Sequence, residues 1–360
     1  MRNLIGGMLI GLIFGVVIAV TYPSHNDRQP HIQDTNNTAL KQTWRLVSLF
    51  PSSMHPRGPT TTQLVQKVNV LTKGVIELQL FEPGTLFPEL EIFDAVSNGT
   101  IEAALTNPSF WGSKSRSFEL LGGFPFGPKI EEFLGWYQIG GGRELSESLY
   151  RRYNIHGIVC GVTGPMMGGW FRKPVQKLTD LQDKLVASVG LAARVLSRAG
   201  ARTTLLAPQD IAPALKSGKL FGATIAAPYG NEGSELSKSA GYVYFPGWNQ
   251  QFSIVDLMIN LRDWKNLDSD TRDRIEIACA ANIADSLAQS EGRQFRALKS
   301  LIKHGIEVLR WSPQLVSNLE IIWQNEVSRL NAKNKDFRRI WNSMEKFSED
   351  YSIWQELGYL

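Results

Sequence analysis

Two cysteines in 360 residues and five scattered histidines leave this chain poor in the softer metal ligands. Neither Cys160 nor Cys279 belongs to a CxxC pair, and His25, His31, His55, His156 and His304 share no ligand spacing. No zinc, haem or redox-dithiol motif can therefore be read. Catalytic signatures are missing as well: there is no G-x-S-x-G, no HExxH, and no cysteine beside a histidine in a local pattern. The run Gly140-Gly141-Gly142-Arg143 fits neither GxxxxGK[ST] nor GxGxxG, and no strand signal precedes it, so it reads as a plain link between helices. Charge of one sign never accumulates. The formal net charge is +4 and no five basic residues stand together, which removes the electrostatic footprint of nucleic-acid binding.

Only one long apolar run is present. Residues 4–20 are free of charge and follow Met1-Arg2, with Val17-Ile18-Ala19 as a cleavage site of small residues. A spanning helix needs about 20 apolar residues, so 1–20 reads as a secretory signal peptide or an uncleaved N-terminal anchor. No cysteine follows it, which excludes a lipid-anchored lipoprotein. In either case the folded part is exported, and a periplasmic location is expected. Residues 21–43, rich in Asn, Gln, Asp, His and Pro, form a polar linker. Export permits a disulfide. The settings IVCGV and IACAA, however, are those of small core residues, and two buried free thiols are expected.

The rest has the composition of an ordinary globular chain, long enough for two α/β lobes. Trp44 to Phe50 reads as a strand, and Leu64, Val65, Val68 and Leu71 mark a helix face stopped by Gly74. Ile76, Leu78 and Leu80 alternate with Glu77 and Gln79 as a half-buried strand. Leu90, Phe93 and Val96 then recur on one helical face, and Ile101 to Thr106 is a short strand. It delivers a loop holding Asn107, Pro108, Phe110 and Trp111. Loops at strand C-terminal ends are where open α/β sheets bind ligands. Glu89, Glu91 and Asp94 fall on the solvated side of that helix.

From Gly161 the β/α alternation repeats, and 253–260 (SIVDLMIN) reads as a strand returning to the first unit. Two tandem units joined by a double crossing form two lobes with a cleft and a hinge. The expected partition is 44–160 with 249–290 for the first lobe, 161–248 for the second, and 291–360 for a C-terminal helical region. There Phe337, Ile340, Trp341, Met344, Phe347, Tyr351 and Trp354 form an aromatic stripe suited to a dimer contact. Two function classes fit: an exported solute-binding protein, and an exported enzyme using the same cleft. No nucleophile with an adjacent base is found in the strand-end loops, which disfavours an enzyme.

Four segments occur in order: FEPGTLFPELEIFDAVSNGTIEA, MGGWFRKPVQKLTDL, APALKSGKL and YFPGW. Together they resemble the DctP-type solute-binding proteins of TRAP transporters, nearest in pattern to the branch that binds 2-oxo acids and lactate. The resemblance implies a two-lobed periplasmic solute-binding protein fold (type II-like), with hinge strands, a long spanning helix and C-terminal helices. It further implies a small organic solute, a TRAP membrane permease partner, and a homodimer through the C-terminal helices.

This chain departs from the branch at its ligand anchors. Met166 stands where a glutamine precedes MGGWF, and Ala187 where an arginine meets the ligand carboxylate. Thr224-Ile225 replaces a Glu-Trp pair of the metal and ligand site; Gln250 alone survives in kind. The family's sodium or calcium ion is accordingly not expected, nor any other cofactor. Asn107, Trp111, Trp248 and Gln250 are expected as retained cleft positions, with Met166, Ala187, Thr224 and Ile225 as the altered wall. Three readings follow: a pocket retuned to a less charged or more apolar solute, a substitute arginine with Arg57 best placed to approach from the first lobe, or a partner-binding scaffold without the family ligand.

Overall fold

The structure, a computed structural model, describes residues 41–224, 228–229 and 234–358. Expectations placed on 1–20, on most of the 21–43 linker and on Ile225 lie outside the described residues.

Eleven strands are formed among them: β1 (Gln42–Ser48), β2 (Ile76–Phe81), β3 (Ala103–Thr106), β4 (Ile155–Thr163), β5 (Gly169–Phe171), β6 (Leu185–Ala187), β7 (Arg202–Thr204), β8 (Gly222–Ala223), β9 (Tyr242–Phe245), β10 (Ser253–Asn260) and β11 (Glu307–Arg310). They make two sheets, ordered β2-β1-β3-β10-β4 and β11-β9-β5-β8-β6-β7. Strand β2 shows how sequence selects position. Ile76 and Leu78 are buried while Glu77 and Gln79 face water, the alternation of an edge strand. Strands β4 and β10 are buried along their whole length: β10 lies inside the sheet, and β4, at its far edge, is covered by the helix Ser269–Lys303.

The chain leaves the first sheet at the end of β4 and re-enters at the start of β10. Ser253 pairs with Thr163, so the two crossings run side by side in antiparallel register. A third connection is the 35-residue helix Ser269–Lys303, capped by Asp268, whose carboxylate accepts from the Thr271 amide at 2.7 Å. Its first half packs on β4 and on the helix Arg57–Leu71. Its end contributes Leu301 to a second-lobe cluster with Met167, Trp170 and Val243. The helix thus spans both lobes.

The helix is tied to its neighbours by polar side chains as well as by burial. Asn282 Nδ2 donates to Cys160 O at 2.8 Å and to Thr60 O at 3.1 Å, and Asn282 Oδ1 accepts from Lys67 Nζ at 3.0 Å. Removing this amide takes a donor from two buried carbonyls and an acceptor from Lys67 Nζ. Asn282→Ala is expected to cost about 2 kcal/mol in equilibrium unfolding; a change below about 0.5 kcal/mol would show that these bonds do not fasten the helix.

Cys160 and Cys279 form a disulfide from β4 to this helix, correcting the expectation of free thiols. Burial at each site is as expected, but the helix crosses β4 closely enough to bring the two Cα atoms to 4.1 Å. That approach is invisible in the local sequence. Other differences have similar causes. Leu90 is 43% exposed because the helix begins only at Ile92; Ile92, Phe93 and Val96 form the buried face. Strands β5 and β9 are three and four residues long and sit inside glycine- and proline-bearing motifs without readable alternation. The region after residue 291 is not purely helical, since β11 joins the second sheet parallel to β9.

The C-terminal aromatic stripe packs mainly on its own chain. Phe337, Ile340 and Met344 are buried, and Trp341 packs against Phe337, Trp323 and Phe124. Ile353, Trp354 and Leu357, at the end of the helix Lys335–Gly358, are the exposed large apolar residues of that stretch.

Candidate functional site

A cavity of about 260 Å³ lies between the two lobes. The first lobe contributes the segment after β1 (Phe50, Met54, His55, Arg57), the turn after β3 (Asn107, Phe110), and Gln250 with Ser253. The second contributes Val189 from the end of β6, with Ile211, Ala212 and Leu236 from two short helices. The wall is largely apolar; its cation, Arg57, lies on the first-lobe side, and Gln209, Ser234 and Glu235 are the polar residues of the second.

Asn107 is placed by its own local chemistry. Its side-chain oxygen caps the turn Pro108–Trp111 by accepting from the Ser109 amide at 2.8 Å, with proline supplying the first turn position. Its Nδ2 donates to Ile254 O at 2.8 Å and to Ser253 Oγ at 3.0 Å, which fixes β3 to the start of β10. Arg57 opens the helix Arg57–Leu71 and is 9% exposed. Its Nη2 donates to the same Ser253 Oγ at 2.8 Å, and its guanidinium lies 5.0 Å from the Phe50 ring centre. Its Nε is buried without a partner. Burial lowers its pKa to about 10, which leaves it charged at neutral pH. His55, whose ring lies 5.4 Å from that of Tyr229, likewise has a buried Nδ1 without a partner. Gln250 Nε2 donates to Gly122 O at 2.6 Å. That approach needs Gly123, at φ +100°, since a Cβ there would meet Phe252 O at 2.6 Å.

A larger cavity of about 580 Å³ lies on the other side of Phe110 and Val189, lined by Arg116, Glu119, Arg194, Arg198 and Arg329 among others. Its charges are already engaged. Glu326 takes Arg194 at 2.5 Å and Arg329 at 2.5 Å, and Arg116 meets Glu119 at 2.9 Å. The smaller cavity is the better candidate because its cation has no such counter-charge.

Of the residues singled out in the sequence, Arg57, Asn107 and Gln250 line this cavity. Trp111 does not reach it. Its indole N–H donates to Thr106 Oγ1 at 3.2 Å and its ring packs on Phe93 in the first-lobe core. Trp248 is buried against Phe126 and is also outside the lining. Met166 is buried and pairs through its amide with Gln251 O, and Ala187 belongs to an apolar cluster with Ile211 and Leu215. Thr224 Oγ1 donates to Ser188 Oγ at 2.7 Å, and its carbonyl accepts from Asn249 Nδ2 at 2.9 Å. Sequence reasoning missed Phe50, Met54, His55, Val189 and Ser253. The strand-end position of the first three was a usable signal. Ser253 was hidden by its place inside the returning strand.

The residues at the expected cation positions do not fit a hard cation. Such an ion favours anionic oxygen, and neither Thr224 nor Gln250 supplies one. Among the described residues, no three His, Cys, Asp or Glu side chains gather in a group that could hold a metal.

The profile of the bacterial extracellular solute-binding proteins, family 7 (DctP), matches residues 47–332. A monocarboxylate 2-oxoacid-binding periplasmic protein of Nostoc sp. is 26% identical over 317 residues, covering 88% of this chain and 87% of that one. A TRAP transporter solute-binding protein of Bordetella bronchiseptica, a mixed-occupancy dimer with calcium and picolinate in one active site, superposes with TM-score 0.85 at 31% identity. The match covers 88% of this chain and 94% of that one. A TRAP periplasmic solute-binding protein of Pseudoalteromonas atlantica with bound sodium and pyruvate gives 0.84 at 23% identity, covering 88% and 96%, a likeness of fold.

Proposed function

The chain belongs to the bacterial extracellular solute-binding proteins of family 7, and on that premise we propose that it closes two lobes over a small organic solute and hands it to a TRAP membrane permease. One observation carries this reading: a cavity walled by both lobes, beside paired chain crossings, with a buried arginine that has no counter-charge. Lobe closure around a ligand uses such crossings as hinges. At about 260 Å³ the cavity is smaller than the usual range for drug-sized ligands, about 300–1,000 Å³, so the solute is small. Picolinate and pyruvate, held by two of the structural relatives, are small organic acids.

Members of this family are receptors rather than enzymes, and they work in the periplasm. No helix among the described residues is long and apolar enough to cross a membrane. We assign residues 44–160 with 249–290 to one lobe, 161–248 to the other and 291–360 to the C-terminal region. Residues 1–20 serve as a signal peptide or anchor, with 21–43 as the linker. No cation takes part in binding. A second copy of the chain docks at the end of the last helix, around Ile353 and Leu357, and light scattering on a sizing column is expected to give a dimer; a monomer at every concentration would remove this part of the proposal.

Thermal-shift screening of the exported form tests the main reading. A solute at a hundred times its Kd stabilises by about 2.7 kcal/mol, which for a chain of this size corresponds to roughly 5 °C. At least one small organic acid is expected to give such a shift. Silence toward every organic acid, sugar and apolar compound would overturn the receptor reading.

A further inference from the structure

We propose that the solute is a compact monocarboxylic acid whose carboxylate is held directly by Arg57 and the Ser253 hydroxyl, with no bridging cation, and whose apolar body fills the second-lobe side of the cavity. This rests on the receptor reading and adds to it the class of solute and the residues that recognise it.

Arg57 is the first support. A buried charge is expensive unless paired and hydrogen-bonded, yet among the described residues no carboxylate pairs with Arg57. The acidic residue on the cavity wall, Glu235, is taken by Lys238 at 3.0 Å and Lys216 at 3.3 Å. The guanidinium has one hydrogen bond, to Ser253, and a buried Nε without any. It opens on the interlobe cavity, where an anion would satisfy it.

Ser253 gives the second support by hydrogen-bond arithmetic. A hydroxyl has two acceptor positions and one proton. Ser253 Oγ accepts from Arg57 Nη2 and from Asn107 Nδ2, so both acceptor positions are filled. Its own proton must then point elsewhere, and the residue lines the cavity. An arginine and an outward-pointing hydroxyl side by side present donors only, the arrangement that suits a carboxylate. His55 adds a third donor in the tautomer that carries its proton on the unpartnered Nδ1.

The opposite wall sets the rest of the molecule. Val189, Ile211, Ala212 and Leu236 are apolar, and the polar residues of that wall, Gln209, Ser234 and Glu235, include no cation, so a second acid there would lack a counter-charge. The 2-oxo oxygen of an oxo acid gains nothing either, because Thr224, at the expected cation position, carries no anionic oxygen to hold a cation for it and does not line the cavity.

Calorimetry on the exported form tests this, in sodium-free buffer with EDTA. The ligands are isovalerate and benzoate, their neutral amides, and the dicarboxylate succinate. The acids are expected to bind without added ion, and the amides and succinate on the order of 100-fold more weakly, the loss that follows from removing charge-assisted hydrogen bonds in a buried site. Arg57→Gln is expected to lose on the order of 100-fold for the acids and to leave the amides nearly unchanged. Should that variant fail to fold, the comparison of acid with amide on the unaltered protein decides alone. Binding that needs sodium or calcium, equal affinity for acid and amide, or acid affinity untouched by Arg57→Gln would overturn the inference while the receptor stands. Failure to bind any small solute under any ionic condition would overturn both.

Discussion

Replacing both Cys160 and Cys279 by alanine is expected to lower the unfolding free energy by about 5 kcal/mol, the largest single effect in this molecule. The bond joins residues 119 apart in sequence. Closing a loop of that length in the unfolded chain accounts for about 5 kcal/mol at 25 °C in the chain-entropy treatment. The location adds to the consequence. Cys160 lies on β4, one of the two strands that carry the chain between lobes, and Cys279 lies on the helix that spans them. Without the bond, that helix is held to β4 by Asn282, Ser286 and Ser290, the last two through Val162 and Gly164 at 3.0 and 3.1 Å. Guanidinium unfolding of the double variant checks the size of the effect, and a loss below about 1 kcal/mol would contradict it. Thiol titration of the unfolded, unreduced wild-type protein should find no free thiol.

How much of this could be read beforehand depended on the range of the interaction involved. Helix faces and edge strands follow from patterns a few residues long, and β2 or the helix Ser269–Lys303 were legible for that reason. The family motifs carried the two-lobed architecture as a whole. What escaped was set by contacts between distant segments. The disulfide depends on a helix crossing β4 at close range, and Ser253 matters only because Arg57 and Asn107, nearly 200 and 150 residues earlier in the chain, both donate to it. Trp111 misled for the opposite reason. An aromatic residue in a strand-end loop fits a ligand wall and a core equally well, and its indole N–H found Thr106. Arg57 was distinguishable as an arginine near a strand end. Its lack of a counter-charge became visible only once the surrounding acids were placed.

Glu119 is expected to make the protein less stable as pH rises from about 5 to 8. The residue sits in the helix Arg116–Leu121, is 3% exposed, and faces Gly190 of the second lobe, where an added Cβ would lie 3.7 Å from its own. Arg116 engages Oε1 at 2.9 Å, while Oε2 is buried without a partner. Burial outweighs that arginine and pushes the carboxyl up to about 7 from its ordinary value of 4.5. Between those values the folded protein holds a proton that the unfolded chain releases. Stability from this group is therefore complete below about pH 4.5 and is lost as pH climbs through 7, by about 3 kcal/mol in total. Asp256, buried and bonded to Tyr150 and Thr106, is raised to about 6 and slopes the same way. Glu119→Gln separates the two. The amide is neutral at every pH, so the variant should match the wild type below about pH 4.5 and exceed it by about 3 kcal/mol at pH 8. Urea unfolding at a series of pH values reads this difference directly. Parallel profiles for the two proteins would mean that Glu119 titrates as an ordinary carboxylate and that Arg116, rather than burial, governs it.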